Sequence, residues 1–330
     1  MEHPLDVLAV GNALVDVVSS ANEAFLAENG LSKGAMTLAD TDMSERLYAA
    51  MGPGVEVSGG SAANTAVGVA SLGGQAAFVG RVRDDQLGSV FAHDIRSAGV
   101  EFGSRPVSSG PPTGRCLIVV TPDAQRTMST YLGASGDLEP ADIDPALVAR
   151  ASVTFLEGYL FDRPPAKEAY FAAAAAAHAA GGQVALTLSD PFCVERHRRE
   201  FLRLVADEVD VLFANEAEIC ALYELGDGDA ALEKAAGHCA VAVMTRSERG
   251  SLVLAGGQRH VVPAHPVDHV IDTTGAGDLY AAGFLSGLTR GRPLDVCGRL
   301  GSLAAAEVIS HVGARPATKL ADLAADLLAG

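Results

Sequence analysis

Strand-like apolar runs alternate with helix-forming segments through most of this 330-residue chain, and that alternation constrains the fold more than any other feature. The strand-like runs are nearly continuous in apolar residues, which is typical of strands buried on both faces of a parallel sheet. The pattern predicts strands over residues 5–10, 76–82, 153–160, 184–188, 209–213 and 241–245, and helices over 61–72, 86–98, 164–180, 194–206 and 216–222. We therefore expect an α/β fold in which helices cover both faces of a parallel sheet.

Two regions interrupt this alternation. The first begins with an apolar run at residues 14–18, and the second has two strand-like runs, 115–120 and 126–131, around a turn at 121–123. The second region is typical of a hairpin. Strands without crossover helices predict a small sheet that projects from the main one. We expect a single domain over residues 1–330 with a lid formed by insertions at about 14–57 and 108–132; a plain surface excursion is the alternative.

The charge balance excludes several classes of partner. The chain has 41 acidic and 24 basic residues, a net charge of −17, whereas a nucleic-acid surface needs a basic patch. No uninterrupted apolar run reaches the roughly 20 residues that cross a bilayer, so we expect neither nucleic-acid nor membrane binding. The first residues have no basic stretch before an apolar one, which predicts a cytoplasmic protein without a signal peptide. The five cysteines form no C-x-x-C pair, so we expect reduced thiols.

The most informative local sequence is D-T-T-G-A-G-D at residues 272–278, between an extended-looking run at 267–271 and an apolar helical segment at 279–285. Small residues where a strand turns into a helix let successive N–H groups point at one spot, and the helix dipole attracts an anion there. The carboxylate of Asp278 would repel a phosphate. Its presence is explained if the carboxylate accepts the proton of a hydroxyl that attacks a phosphoryl group held by the turn. The chain therefore has the pattern of a small-molecule kinase.

Other nucleotide and hydrolase signatures are missing from the sequence. There is no G-x-x-x-x-G-K-[ST], H-E-x-x-H or G-x-S-x-G, and the first strand does not lead into G-x-G-x-x-G. A second glycine-rich element, G-G-S-A-A-N-T-A, occupies residues 59–66. Two glycines before a helix can form a hinge, and Asn64 in the first helical turn can reach a ligand hydroxyl. The alternative is a plain turn with Ser61 as the N-cap.

These elements resemble the ribokinase-like (PfkB) carbohydrate kinases. Residues 59–85, with G-G-S-A-A-N, L-G-G and V-G-R-V-R-D-D, are similar to the first family signature, and residues 272–285 are similar to the second. Residues 215–218 are similar to the family's N-x-x-E motif, so the resemblance covers essentially the whole chain. It implies a ribokinase-like three-layer α/β/α sandwich with a small β-sheet lid. It also implies transfer of the γ-phosphoryl group of ATP to a primary hydroxyl of a sugar or nucleoside.

The resemblance also implies roles for residues on the ATP side. The match to the second signature makes Asp278 the general base and the Gly275, Ala276 and Gly277 amides an anion hole. Glu218 would help to organise Mg²⁺ through water, since Mg²⁺ keeps much of its hydration shell. The alternative is that residues 215–218 form an ordinary turn into a helix. Residues 245–250 resemble a T-x-G-x-x-G nucleotide loop with Ser247 at the first glycine. The implied ATP-binding residues are Asn215, Thr245, Gly250 and Thr274.

On the acceptor side, G-N-A-L-V-D at residues 11–16 is similar to the opening of adenosine-kinase members. That match implies that Asp16 accepts hydrogen bonds from two ribose hydroxyls, as a carboxylate can. The alternatives are that Asp16 is a turn residue before the lid, that Tyr159 and Phe161 are core aromatics, and that Arg126 is a salt-bridged lid residue. The implied acceptor residues are Asn12, Asp16, Gly60 and Asn64 for the sugar, Met36, Leu38, Tyr159 and Phe161 for a purine, and Arg126, which the lid would bring to the phosphate.

The cation loop of potassium-activated family members is incomplete here. Residues 313–317 read G-A-R-P-A where those members have G-A-x-x-S, so Ala317 replaces the serine. Backbone carbonyls near Asp272 and Thr274 can still bind K⁺, and potassium activation stays open with Asp272 as the candidate site. The similarity to bacterial adenosine-kinase-like members favours a nucleoside 5′-kinase acting on adenosine. The alternatives are a family kinase for ribose, fructose or a keto-deoxy sugar acid, and a non-catalytic nucleoside sensor. Monomer and homodimer both remain open.

Overall fold

The computed structural model describes residues 3–123 and 125–329. The strands are β1 (Leu5–Val10), β2 (Leu14–Ser20), β3 (Met36–Leu38), β4 (Gly54–Gly59), β5 (Ala76–Val79), β6 (Val100–Phe102), β7 (Gly114–Val120), β8 (Arg126–Tyr131), β9 (Ala151–Glu157), β10 (Gln183–Thr187), β11 (Val211–Asn215), β12 (Val241–Thr245), β13 (Ser251–Ala255) and β14 (Gln258–Val262). The helices are α1 (Glu23–Glu28), α2 (Thr41–Ala50), α3 (Ser61–Ser71), α4 (Gln86–Ser97), α5 (Pro145–Val148), α6 (Pro164–Ala179), α7 (Pro191–Asp207), α8 (Glu216–Tyr223), α9 (Gly228–Ala236), α10 (Ala276–Thr289), α11 (Leu294–Ile309), α12 (Leu320–Leu323) and α13 (Ala325–Leu328).

The main sheet has the strand order β14-β13-β12-β11-β10-β9-β1-β5-β6. Its strands pair in parallel from β12 to β6, which confirms the predicted α/β class. The last two strands at one end of the sheet, β13 and the edge strand β14, are antiparallel additions that the alternation did not predict. Gly256 and Gly257 join them with φ of +55° and +76°, the backbone that a two-residue hairpin loop requires.

The core fills both faces of the main sheet. Along β1, Val7 and Ala9 point into one hydrophobic cluster and Leu8 and Val10 into the other, because successive side chains of a strand alternate between faces. Helices α3, α4, α10 and α11 contribute buried residues to the first cluster, and α6 to α9 contribute to the second. Helix, sheet and helix therefore form three layers, as the sequence predicts.

The smaller sheet has the order β3-β8-β7-β2-β4 and comes from the two segments that interrupt the alternation. Strands β7 and β8 form the expected antiparallel hairpin, and β2 pairs antiparallel with β4. Val15, Val17, Leu117 and Val119 attach one face of this sheet to the core. A lid function of this sheet requires motion and stays a prediction. Among the described residues, no helix is long and apolar enough to cross a membrane.

The predicted strand at residues 267–271 is wrong. These residues have no regular secondary structure, and Val270 and Ile271 are exposed. The amides of Ile271 and Asp272 instead donate to the carbonyl of Ile309 at the end of α11, at 2.8 and 3.4 Å. Because the segment packs along the end of a helix, a loop rather than a strand leads into the turn at 272–278. The strands predicted to reach residues 82 and 160 end at Val79 and Glu157.

Candidate active site

The phosphate turn, residues 272–278, leads into the N-terminus of α10, a helix that packs on α3 and contacts the central strands β1 and β9. Gly275 is the N-cap of α10 with φ +79°, and a Cβ there would lie 2.7 Å from the carbonyl oxygen of Ala314. Only glycine can therefore occupy this position without displacing the C-terminal loop. The first N–H groups of a helix lack intrahelical partners and are suited to an anion. At the start of α10 the amide of Ala276 already donates to the carbonyl of Thr273 at 3.2 Å, so the amide of Gly277 is the donor more available to an anion.

Asp278 lies in the first turn of α10 and is held by α3. Its Oδ1 accepts a hydrogen bond from Ser61 Oγ at 2.6 Å, and its Oδ2 accepts one from Asn64 Nδ2 at 3.0 Å. Burial raises the pKa of Asp278, and these two hydrogen bonds oppose that rise. The carboxylate is thus fixed in orientation and has a strengthened affinity for a proton, which are the properties of a general base.

The start of α3 depends on two glycines that also end β4. Gly60 has φ +102°, and a Cβ on it would lie 2.1 Å from the carbonyl oxygen of Asn12. A Cβ on Gly59 would lie 2.5 Å from the carboxylate of Asp16. Gly60, not Ser61, is the N-cap, so the Ser61 hydroxyl is free to serve Asp278.

Glu157, at the end of β9, is a central residue of the site that the sequence interpretation missed. It is fully buried, and its Oε1 accepts from Asn12 N at 2.9 Å and Asn12 Nδ2 at 2.6 Å, while Oε2 accepts from Ala62 N at 2.6 Å. Burial raises its pKa to about 7, although these hydrogen bonds lower it. A single acidic residue within the apolar run 153–160 was the available signal, because ligands bind at the carboxyl ends of parallel strands.

Asn12 is buried, and its side chain is occupied by Glu157 and by Ser135, whose Oγ donates to Asn12 Oδ1 at 2.8 Å. The structure therefore places Asn12 in support of the site rather than in the predicted direct contact with an acceptor.

Asp16 lies in β2, opposite Val57 of β4 and Cys116 of β7, so it is a strand residue of the smaller sheet and not a turn residue. Burial raises its pKa to about 6, and the charges of Arg315 and Arg126 oppose that rise. Asp278 is near enough to raise the pKa of Asp16 further, and Asn64 donates to Asp278, so the three side chains lie near one another. Their contact with an acceptor stays a prediction.

Arg126 of β8 joins the smaller sheet to the phosphate turn. Its Nη1 lies 2.7 Å from Asp272 Oδ2, which also accepts from the amide of Gly313 at 2.9 Å. Asp272 Oδ1 accepts from the amide and hydroxyl of Thr274 at 3.1 and 2.7 Å. Arg126 Nη2 is buried without a hydrogen-bond partner among the described residues. In the structure Arg126 thus forms a salt bridge, which was the alternative to a phosphate contact.

Asn215 and Glu218 form a capping box at the start of α8. Asn215 Oδ1 accepts from Glu218 N, and Glu218 Oε2 accepts from Asn215 N, each at 2.9 Å. Burial raises the pKa of Glu218 to about 7, helped by the charges of Asp190 and Asp278. Within residues 3–123 and 125–329, no three His, Cys, Asp or Glu side chains cluster to hold a metal alone. A Mg²⁺ ion near Glu218 would therefore be held largely by phosphates and water.

The loop after β12 has the backbone of a glycine-rich turn. Ser247 has φ +51° and Gly250 has φ +76°, so the serine adopts the conformation expected of the glycine it replaces. A Cβ on Gly250 would lie 2.0 Å from the carbonyl of Val262. Arg249 pairs with Glu216 at the surface, which favours the solvated interpretation of this arginine.

The four predicted purine contacts fall in different environments. Met36 and Leu38 lie on β3, 41% and 56% exposed, and are accessible to a ligand. Tyr159 is half-buried, and burial and the nearby charge of Asp278 raise its pKa. Phe161 is fully buried and stacks on Phe201 with ring centroids 4.1 Å apart. The predicted purine contact of Phe161 is wrong, because its ring belongs to the core below the sheet.

Comparisons with known proteins agree with this geometry. A sequence model of the "pfkB family carbohydrate kinase" matches residues 44–320. The structure of an adenosine kinase from Sinorhizobium meliloti is 53% identical with a TM-score of 0.91, covering 98% of this chain and 99% of that one. A probable sugar kinase from Rhizobium etli CFN 42 is 50% identical with a TM-score of 0.92, at the same coverage of 98% and 99%.

A more distant relative is a 5-dehydro-2-deoxygluconokinase from Geobacillus thermodenitrificans, 29% identical over 76% of this chain and 78% of its own. Adenosine and sugar kinases thus both resemble this chain. The family match covers the smaller sheet's β4, the helix that holds Asp278 and the phosphate turn. The chain therefore belongs to the pfkB family of carbohydrate kinases, which transfer a phosphoryl group to a hydroxyl acceptor.

Proposed function

We propose that this enzyme transfers the γ-phosphoryl group of ATP to the 5′-hydroxyl of a nucleoside, with adenosine as the expected substrate. The observation that carries the kinase chemistry is the pairing of Asp278 with the N-terminus of α10 and with Ser61 and Asn64 of α3. In this proposal one carboxylate serves both the phosphate at the start of α10 and the acceptor beside Asp16. The 53% identity to the Sinorhizobium meliloti adenosine kinase supports the nucleoside acceptor.

In this proposal the proton of the acceptor hydroxyl passes to Asp278 as the hydroxyl oxygen attacks the γ-phosphorus. The bond between that phosphorus and the β–γ bridging oxygen breaks, and ADP leaves with the electron pair. The amides at the start of α10 stabilise negative charge on the transferred group, since phosphoryl transfer depends chiefly on positioning and charge neutralisation. Mg²⁺, when bound with ATP, would neutralise phosphate charge. Glu218 and Asn215 would orient its water ligands.

Arg126 and the nucleotide loop complete the proposed ATP side. The unpaired Nη2 of Arg126 is available to a phosphate oxygen near the phosphate turn. Thr245, Gly250 and Thr274 are proposed to line the nucleotide. A cytoplasmic location belongs to the proposal because ATP is supplied there. Light scattering of the purified protein would distinguish monomer from homodimer.

Potassium activation is proposed as a separate test. The carboxylate of Asp272 is already neutralised by Arg126, so a K⁺ ion would depend mainly on backbone carbonyls of the phosphate turn. Rates measured with KCl against tetramethylammonium chloride at constant ionic strength check this site. A rate that is the same in both salts would remove Asp272 from the list of cation ligands.

A panel of acceptors tests the nucleoside assignment. Purified protein with Mg²⁺-ATP is assayed against adenosine, other nucleosides, ribose, fructose and a keto-deoxy sugar acid. We expect the highest kcat/KM for adenosine. A preference for a free sugar or sugar acid would replace the proposal by the second candidate, which the similarity to a 5-dehydro-2-deoxygluconokinase favours. Tight nucleoside binding in calorimetry without phosphorylated product would indicate a sensor instead.

A further inference from the structure

Arg315 is a mostly buried arginine close to Asp16 and Asn64 of the candidate site. It lies in the loop after α11, and its side chain is 15% exposed. Its Nη1 lies 3.1 Å from Asp94 Oδ2 of α4, and its Nε lies 3.4 Å from Asn64 Oδ1 of α3. Asp94 Oδ2 also accepts a hydrogen bond from Ser58 N at 2.8 Å, next to the hinge glycines. One side chain therefore connects the C-terminal loop, α3, α4 and the smaller sheet.

The contact with Asn64 determines which way the Asn64 amide points. Arg315 can only donate hydrogen bonds, so it selects the amide orientation with Oδ1 toward itself. Nδ2 then faces Asp278 and donates to Oδ2 at 3.0 Å. The reversed amide would place an oxygen against the Asp278 carboxylate and an NH₂ group against the guanidinium, and both contacts are repulsive. Arg315 thereby orients a direct partner of the proposed base.

One donor of Arg315 remains unused. Its Nη2 is buried without a hydrogen-bond partner among the described residues. Nη2 carries two hydrogens, and one of them lies on the same edge of the planar guanidinium as the Nε hydrogen, parallel to the bond that reaches Asn64. Buried polar groups are normally paired, and an unpaired donor of a charged group is a place where a ligand oxygen fits.

The electrostatic surroundings identify the class of oxygen that fits. Asp94 already neutralises Arg315, and Asp16 is near enough that the charge of Arg315 lowers its pKa against the effect of burial. Asp278 adds a third carboxylate to the same cleft. A ligand carboxylate would meet the carboxylates of Asp16, Asp94 and Asp278, while the nearby guanidinium groups of Arg315 and Arg126 are already paired with Asp94 and Asp272. A neutral hydroxyl or ring oxygen meets no such repulsion.

We propose that Arg315 is a further acceptor-binding residue, whose Nη2 donates to a neutral sugar oxygen of the acceptor while its Nε holds the Asn64 amide toward Asp278. This rests on the proposed function, in which the acceptor lies between Asp16 and Asp278. Arg315 accordingly contributes to the selection of neutral sugars or nucleosides over sugar acids.

The test compares Arg315→Ala and Arg315→Lys with Lys319→Ala, a change at an exposed position of the same loop. Adenosine affinity is measured by calorimetry without ATP, and kcat and KM are measured for both substrates. Arg315→Ala is expected to weaken adenosine binding by about tenfold or more, because a hydrogen bond from a charged group is lost, and to lower kcat as Asn64 is released. The KM for ATP is expected to stay within about twofold. Arg315→Lys should restore part of the affinity, and Lys319→Ala should match the wild type.

Two results would overturn the assignment. One is an unchanged adenosine Kd in a folded Arg315→Ala protein, which would leave Arg315 as a structural link to Asp94. The other is a rise in the KM for ATP as large as the rise in the adenosine Kd, which would indicate a general disturbance of the site. Thermal denaturation reports folding, and if the alanine variant does not fold, Arg315→Lys carries the same comparison.

The two proposals fail separately. A wild type that binds adenosine without phosphorylating it contradicts the kinase function, but the Kd ratio still tests Arg315. A wild type that binds a sugar acid better than every neutral acceptor contradicts the role of Arg315 while leaving the kinase chemistry intact. A wild type that binds no acceptor of the panel contradicts both.

Discussion

Arg126 and Asp272 form an ion pair between the two sheets of the enzyme, with 2.7 Å between Nη1 and Oδ2. The side chains are only 11% and 6% exposed, so the charges are largely removed from water. Because Arg126 belongs to β8 of the smaller sheet and Asp272 to the phosphate turn, the pair exists only when the sheet is close to the turn. A lid movement of the smaller sheet away from the phosphate turn would have to break this pair.

Arg126→Ala should lower the free energy of unfolding by about 3 kcal/mol, since removing one partner of a buried pair leaves the other charge uncompensated. Urea denaturation measures the change, and a double-mutant cycle with Asp272→Asn isolates the coupling. The matched control is Arg150→Ala, which breaks the exposed pair with Glu101, 42% and 46% exposed, and should cost less than about 1 kcal/mol. Equal losses in the two variants would show that Arg126 and Asp272 are not effectively buried.

Asp278→Asn should lower kcat by about 10²–10⁴-fold, because general-base assistance is lost while the shape of the side chain is kept. Ser61 Oγ and Asn64 Nδ2 retain neighbours of similar geometry, so the melting temperature should change little. Steady-state kinetics with adenosine and ATP give the rate. Asp295→Asn, an acidic position in the first turn of α11, is the control and should keep the wild-type kcat. A fully active Asp278→Asn enzyme would remove Asp278 from the mechanism.

Stability should depend on pH through Glu157, whose pKa is raised from 4.5 to about 7 in the folded state. A raised folded-state pKa means that the unfolded chain binds fewer protons between these values. The contribution of Glu157 is therefore complete below about pH 4.5 and is lost as the pH rises through about 7, by roughly 3 kcal/mol.

Denaturant unfolding at pH 5 and pH 8 measures this loss in the wild type and in Glu157→Gln. The variant should be less stable at both values but should show a smaller fall between them. Glu218 shifts in the same direction, so only the difference between the two proteins isolates Glu157. An identical fall in both would assign the pH dependence to other groups.

Gly60→Ala should be more damaging than Gly73→Ala, although both glycines have positive φ, +102° and +78°. A Cβ at Gly73 meets nothing within 4 Å, so that variant incurs only backbone strain of about 1–2 kcal/mol. At Gly60 the Cβ would also lie 2.1 Å from the carbonyl of Asn12. Urea denaturation and the adenosine Kd compare the pair. Similar values for both variants would mean that the chain at Gly60 relaxes freely.

The fold was largely predictable because its signals are local. A buried parallel strand is a continuous apolar run, and the hairpin at residues 115–131 has its turn residues directly between its two strands. The phosphate turn was recognisable because its glycines and Asp278 are consecutive. Residues 267–271 have the apolar, β-branched composition of a strand, but the amides of Ile271 and Asp272 bond the end of α11 instead of a strand, and composition alone could not reveal this.

The rest of the site depends on contacts between distant parts of the chain. Glu157 reaches Asn12 and Ala62, which are 145 and 95 residues away, and Arg315 reaches Asn64 across 251 residues. Neither residue belongs to a periodic pattern, and each reads locally as an ordinary charged side chain. Phe161 was misassigned because its surroundings also depend on the fold. Tyr159 and Phe161 are only two positions apart in the turn after β9, yet Tyr159 lies near the site and the Phe161 ring lies in the core.

The junction at Gly59 and Gly60 ends a strand of the smaller sheet and begins the helix that supplies Ser61 and Asn64 to Asp278. An acceptor that contacts the smaller sheet therefore also adjusts the start of α3 against the carboxylate. A water molecule that contacts Asp278 alone would produce no such adjustment. We expect this junction to protect bound ATP from futile hydrolysis when the acceptor is absent.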